Sequence, residues 1–179
     1  MKYFSRKIMY GGVSDAESAF IVSRYYRGHL PTILQRLPAP LAEVARHLSD
    51  TGAVLSLHDG LVRSVSVDVS HCALTLSLRA GDNAVGYYDL DLTYGGVDMT
   101  RLDLKLLRRF ASHARGEALY HEVDVMPGGY FVHRILLWPA GLGELALIFR
   151  EFTYQRVSQP DRSFVKTEPA FSIREVGTG

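Results

Sequence analysis

The strongest constraint on this chain is a change of period. Up to about residue 52 the apolar residues recur at three- and four-residue spacing; from Ala53 onward they alternate with polar ones, and turn residues separate the alternating runs. Asp59-Gly60, between Leu55-Ser56-Leu57-His58 and Leu61-Val62-Arg63-Ser64-Val65, suits a two-residue turn with positive φ at both central positions. That register sets Val54 opposite Val65. A second turn at Ser70 to Ala73 pairs Val69 with Leu74, Val67 with Leu76 and Val65 with Leu78. Every large aliphatic then falls on one face, and Ser64, Ser66, Asp68, Thr75, Ser77 and Arg79 fall on the other, as expected of an antiparallel sheet with one solvated side. Ala80 to Ala84 turns the chain again into Val85 to Tyr94, where Tyr88, Leu90 and Leu92 keep the same parity.

Between Gly95 and Gly116 both periods are present, and the spacing of Leu102, Leu106, Leu107 and Phe110 favours a short helix from Leu102 to His113. Three strands follow, at Ala118 to Met126, Tyr130 to Trp138 and Glu144 to Arg156. Beyond Ser158 the chain is expected to be irregular, with room for an edge strand at Ala170 to Arg174. Ahead of the sheet, Ser14 to Arg27 reads as a helix stopped near Gly28 and Pro31, and Leu41 to Ser49 as a second helix started by Pro38 and Pro40.

The expectation is therefore α+β: two N-terminal helices with a mostly antiparallel, curved sheet of about seven strands and one helical crossover. It forms a single domain over 1–179, with a helical part to 52, the sheet over 53–157 and a tail over 158–179. A hydrophobic fraction of 47% in 179 residues is ample for a core. Twenty basic against nineteen acidic residues give a formal charge of +1, which argues against nucleic acid as a partner. One cysteine, Cys72, excludes an intramolecular disulfide and any multi-thiolate metal site, and fits a reducing, cytoplasmic setting. No secretory leader or apolar run of membrane-spanning length is apparent in the sequence.

Candidate chemistry is sparse. Phosphate-loop, dinucleotide, nucleophile-elbow and zinc-protease motifs are all missing from the sequence. A tight turn at Pro127 to Tyr130 would set Asp124 opposite His133 with Glu122 on the same face, a carboxylate and imidazole suited to general-base work or to metal binding. His133 alternates with Phe131, Ile135 and Leu137, however, and a histidine in such company is more often a buried residue with one hydrogen bond. His58 is the remaining candidate metal ligand, although Asp59 beside it is explained by the turn. His71 next to Cys72 would activate a thiol only with a third partner, and none can be named. Arg24, Tyr25, Tyr26 and Arg27 form a basic aromatic group suited to a protein partner.

Three stretches carry a resemblance: Met1-Lys2-Tyr3-Phe4, Leu57-His58-Asp59-Gly60, and the late run Leu119-Tyr120-His121-Glu122 with Tyr130-Phe131-Val132-His133-Arg134-Ile135 and Glu144-Leu145-Ala146-Leu147-Ile148-Phe149. Together they resemble small bacterial proteins of unknown function, including cytosolic immunity-like proteins found near polymorphic toxin systems. The resemblance implies a sheet-based domain that binds and blocks one protein. No cofactor and no catalytic residue comes with it. The leading expectation is a non-enzymatic binding protein acting through the solvated sheet face or the Tyr/Arg group. Its rivals are a small metal-dependent hydrolase using Asp124, His133 and Glu122, and a ligand carrier with a concave sheet lined by Tyr87, Tyr88 and Tyr130.

Overall fold

A computed structural model describes residues 24, 26–46, 55–83, 86–166 and 170–175. The chain is α+β. Its strands are β1 (Gly60–Asp68), β2 (Ala73–Asp82), β3 (Gly86–Gly95), β4 (Glu117–Met126), β5 (Tyr130–Trp138), β6 (Gly143–Phe149), β7 (Glu151–Gln159) and β8 (Phe171–Arg174). They form one sheet in the order β6-β5-β4-β1-β2-β3-β7, with β8 added to β1. Helix α1 covers 26–33, α2 is Ala39–Ala45, and α3 is Leu104–Ser112. Among the described residues no helix is long and apolar enough to cross a membrane.

Helix α1 does not stop at Gly28 or Pro31 as expected. Tyr26, Leu30, Ile33 and Leu37 are all buried, and their spacing lays one apolar stripe on the core; that burial outweighs the backbone hydrogen bond removed by Pro31. Most of the helix expected over Ser14 to Arg27 lies outside the described residues, whereas the helix expected to reach Ser49 already ends at Ala45, where Arg46 takes an extended backbone at φ −72° and ψ 127°. Helix α3 matches its expectation closely. Asp103 caps it by accepting from the Leu106 N–H at 2.9 Å, and Leu106, Leu107, Phe110 and Ala111 face the core.

The first expected hairpin does not form. Asp59 does turn with φ 56°, but Leu55 to Leu57 are buried without joining a ladder. The Tyr88 hydroxyl replaces the missing strand: it accepts from Ser56 N at 2.7 Å and donates to Ser56 O at 3.0 Å, satisfying both backbone groups. Val54 lies outside the described residues. β1 and β2 pair as Val67↔Leu74 and Val65↔Leu76, two residues from the expected register, because the turn occupies Val69 to Cys72. A shift of two preserves parity, so the aliphatic face survives. A bulge at Arg63 then brings Val62 opposite Leu78.

Two features give the sheet its shape. One edge of β1 is shared: Gly60 and Leu61 pair with β4, whereas Val65 to Asp68 pair in parallel with β8. The expected strand Glu144 to Arg156 is in fact two, β6 and β7, which occupy opposite edges of the sheet and are joined by Arg150 alone. Its N–H bonds Gly95 O at 3.0 Å and its guanidinium lies 4.1 Å from the Tyr130 ring centre, so the sheet curls until its edges converge there. Inside the curl Tyr94 packs edge-on against Phe149 and Phe152 at 4.9 and 5.2 Å between ring centres.

Candidate functional site

The turn between β4 and β5 takes three residues, Pro127 to Gly129, so Met126 pairs with Tyr130, Val123 with His133 and Asp124 with Val132. This is one residue from the expected register, and a one-residue slip sends Asp124 and Glu122 to the face opposite His133. The expected Asp124–His133 pair is thereby overturned. His133 is fully buried; its Nδ1 is 2.8 Å from the Tyr94 hydroxyl and its Nε2 is 3.2 Å from His121 Nδ1. Burial lowers its pKa to about 3, so the ring is neutral at ordinary pH. The neutral ring thus links Tyr94 and His121, one of its nitrogens donating and the other accepting. This is a structural chain inside the curl.

On the other face, Glu122 is buried and lies 3.4 Å from Arg134, while Asp124 lies 3.2 Å from His29 on α1. Tyr26, expected at a binding surface, is fully buried, and its hydroxyl accepts from Val123 N at 2.9 Å, closing part of the β4 edge that β1 leaves unpaired. Tyr25 lies outside the described residues, and Arg24 and Arg27 are exposed. Nor do Tyr87, Tyr88 and Tyr130 line one concavity: Tyr88 is buried on Ser56 and Tyr130 stacks under Arg150. His71 Nδ1 sits 3.1 Å from Asp68 Oδ2 and 3.0 Å from Ser70 Oγ, within the turn, while the Cys72 thiol points at Val69 O. The Ser70 hydrogen bond holds Asp68 near a pKa of about 2.

His58 belongs to a more suggestive arrangement. At the end of the sheet remote from Arg150, a pocket of about 110 Å³ is lined by Ser56, His58, Asp59, Gly81, Asp82, Tyr87 and Arg162. His58 is fixed by its Nδ1 on Leu119 O at 2.6 Å and by stacking on Tyr120 at 4.9 Å between ring centres. Arg162 donates to Asp59 O at 2.7 Å and lies 3.4 Å from Glu117, whose pKa is raised chiefly by burial. Among the described residues no three His, Cys, Asp or Glu side chains, His58 included, are grouped to hold a metal ion. Comparison with protein-family models, characterised proteins and solved structures finds no match. Function must be read from this chemistry alone.

The outward face of β8-β1-β2-β3-β7 completes the picture. Register places Ser172, Ser66, Thr75, Thr93 and Thr153 side by side across five strands, and Ser64, Ser77, Asp91 and Gln155 in the next row. Ser172 Oγ bonds Ser66 Oγ at 3.1 Å, and the Thr75 and Thr93 hydroxyls are 3.4 Å apart. A third row holds Arg79 and Asp89, joined at 2.5 Å, with Arg63 and Gln159 on the same carboxylate at 3.2 and 2.8 Å. Arg79 also donates to the carbonyls of Asp161 and Ser163, and the Phe164 ring lies over it at 5.5 Å. The segment expected to be irregular is therefore strapped across the sheet, and Lys166 Nζ ties it further to Ala111 O at 2.8 Å.

The solvated parity of β1 and β2 had marked Ser64, Ser66, Thr75 and Ser77 in advance. Asp82, Tyr87 and Arg162 had not been singled out as partners of His58, since 104 positions separate His58 from Arg162 and only the strap brings them together.

Proposed function

We propose that this protein is a non-enzymatic, cytoplasmic binding domain that docks one protein partner on the outward face of β8-β1-β2-β3-β7, in the manner of an immunity-like protein. The observation that carries this reading is the hydroxyl row Ser172–Ser66–Thr75–Thr93–Thr153, with Ser66, Thr153 and Ser172 exposed. Four strand spacings make the row about 19 Å long, and with the row of Ser64, Ser77, Asp91 and Gln155 beside it the strip that the strap leaves uncovered is two rows, about 13 Å, deep. The resulting area of about 250 Å² is about a third of the roughly 800 Å² that a standard interface covers per partner. A partner seated on this face would therefore extend past its borders. Short hydroxyl side chains add adaptable hydrogen bonding at small entropic cost, which suits protein recognition better than catalysis.

The enzyme reading loses its main support, since Asp124 and His133 lie on opposite faces and His133 is enclosed. The test is affinity capture from the source organism with wild type and with Thr75→Arg, combined with cross-linking mapped by mass spectrometry. Wild type is expected to retain one protein whose cross-links fall beside β1, β2 and β7, and Thr75→Arg, with unchanged circular dichroism, to lose it. Undiminished capture by Thr75→Arg would refute the reading.

A further inference from the structure

Strand β7 is an edge of the sheet, and the chemistry of its open side follows from the ladder. The N–H groups of Val65 and Val69 bond Ala170 O and Arg174 O at 2.8 and 2.9 Å, so the odd residues of β1 point to β8 and the even ones to β2. That direction carries from strand to strand through Ser66↔Thr75, Leu76↔Leu92 and Asp91↔Gln155. The odd residues of β7 therefore bond β3, and Phe152, Tyr154, Arg156 and Ser158 turn their backbone groups to the open side. Other borders are closed by single groups: Tyr26 accepts from Val123 N–H on β4, and on β6 the Ile148 carbonyl accepts from Asp98 N–H at 2.9 Å. Among the described residues nothing bonds the backbone of Phe152, Tyr154 or Ser158 on the open side. Nor does β7 carry the usual edge guards, since it contains no proline, lysine or glycine and pairs with β3 over all 9 residues without a bulge. A row of alternating donors and acceptors this long is matched by another extended chain.

The residues of β7 select that chain. When two β7 strands pair antiparallel, a two-fold axis at Gln155, the midpoint of Glu151–Gln159, is the register that pairs all 9 residues. It sets Phe152 opposite Ser158 and Tyr154 opposite Arg156, all with outward backbone groups, and closes about eight hydrogen bonds. The side chains agree. On the outward face Val157, 58% exposed in the single chain, meets the β-branched Thr153, and Gln155 meets itself, amide to amide. On the core-facing side Arg156 of one copy comes beside Tyr154 of the other, whose hydroxyl donates to the Glu43 carboxylate on α2, so opposite charges approach twice across the axis. Glu151 faces Gln159, and no like charges are opposed; an axis moved to Arg156 would set that cation against itself. We infer that this protein forms a two-fold dimer in which β7 pairs antiparallel with β7 of a second copy about Gln155. This goes beyond the partner-binding reading and does not require it. For the outward face it means that the row Ser64–Ser77–Asp91–Gln155 runs through the axis into its own repeat, and two strips of about 250 Å² become one of about 500 Å².

The full chain, purified alone, is measured by sedimentation velocity from about 5 to 500 µM, and a reversible monomer–dimer equilibrium is expected within that range. Gln155 is exposed, so Gln155→Lys and Gln155→Glu each set like charges across the axis without touching the core, and each is expected to weaken the dimer about tenfold. An equimolar mixture of the two variants sets opposite charges there and is expected to associate at least as tightly as wild type. Circular dichroism checks that both variants fold. Hydrogen exchange locates the contact: the Tyr154 and Arg156 amides are expected to gain protection as concentration rises. A chain that stays monomeric throughout, a dimer indifferent to both substitutions, a mixture no more associated than its components, or a dimer that leaves those amides unprotected would overturn the inference. Partner capture with Thr75→Arg tests the outward face separately, so either reading can fail while the other stands.

Discussion

Replacing His133 by phenylalanine should make the protein less stable at neutral pH and more stable in acid. The buried ring binds no proton until the pH falls to about 3, whereas in the unfolded chain it protonates below 6.5. Between those values the unfolded state holds the extra proton, so wild-type stability declines as pH falls, by about 1.4 kcal/mol per pH unit from this residue alone. His133→Phe removes that dependence. It also removes the hydrogen bonds that the ring makes to the Tyr94 hydroxyl and to His121 Nδ1 inside the curl. Each orphaned group costs about 1–3 kcal/mol, the larger apolar ring recovers part, and the net loss at pH 7 is about 2–3 kcal/mol. Dividing by the slope puts the crossing near pH 4.5–5, about two units below the pKa of the unfolded histidine. Urea unfolding followed by circular dichroism, from about pH 7.5 down to about 4.5, measures both proteins under conditions where the other titrating groups largely cancel. Tyr94→Phe is the control: it should cost about 1–3 kcal/mol while keeping the wild-type acid slope. A constant stability difference between His133→Phe and wild type across the range would refute the account.

Two further outcomes follow from the edges and the strap. Tyr26→Phe removes the acceptor for Val123 N–H at the unpaired part of β4, and thermal unfolding should show a loss of about 1–3 kcal/mol with partner capture unchanged; a capture defect at full stability would instead place Tyr26 in the interface. Arg79→Met breaks the contacts to Asp89, Asp161 O and Ser163 O, and should cost about 3 kcal/mol, at the low end for a broken buried pair because Arg63 stays on Asp89. Trypsin should then cut at Arg162 and Lys166 sooner, and an unchanged cleavage rate would mean the strap does not depend on Arg79.

How much of this could be read in advance depended on whether the relevant interaction was local. Parity alone identified Val65, Val67, Leu74, Leu76, Leu90 and Leu92 as core, because an even register error leaves faces intact. An odd error does not, and the three-residue Pro127-Gly128-Gly129 turn moved Asp124 away from His133. The division of the late strand did leave a trace: Leu145, Leu147 and Phe149 occupy odd positions, Phe152 and Tyr154 even ones, and the parity changes beside Arg150. Leu55-Ser56-Leu57 carried a strand pattern but not a strand, since a phenol from β3 satisfied its backbone. The His58 pocket was illegible because the strap that completes it is held by side chains, chiefly Arg79, and no periodicity records such contacts.

The Arg150 connection has a mechanical consequence. Strands β6 and β7 are tethered at one end by a single residue and run from there along opposite borders of the sheet, with no ladder between them along their lengths. The curl behaves like a clasp with a fixed hinge. Arg150 clamps that hinge from both sides, through Gly95 O and the Tyr130 ring, so bending there is stiff. β7 is about 30 Å long and is paired with β3 from Glu151 to Gln159, so the two strands swing as one ribbon. A rotation of about 5° at the hinge would displace its far end, beside Gln159, by about 2.5 Å, while the tethered end stays almost still. The displacement for a given rotation is thus greatest where Gly81, Tyr87 and Arg162 surround the pocket, and a partner that grips there acts on the sheet at its longest moment arm.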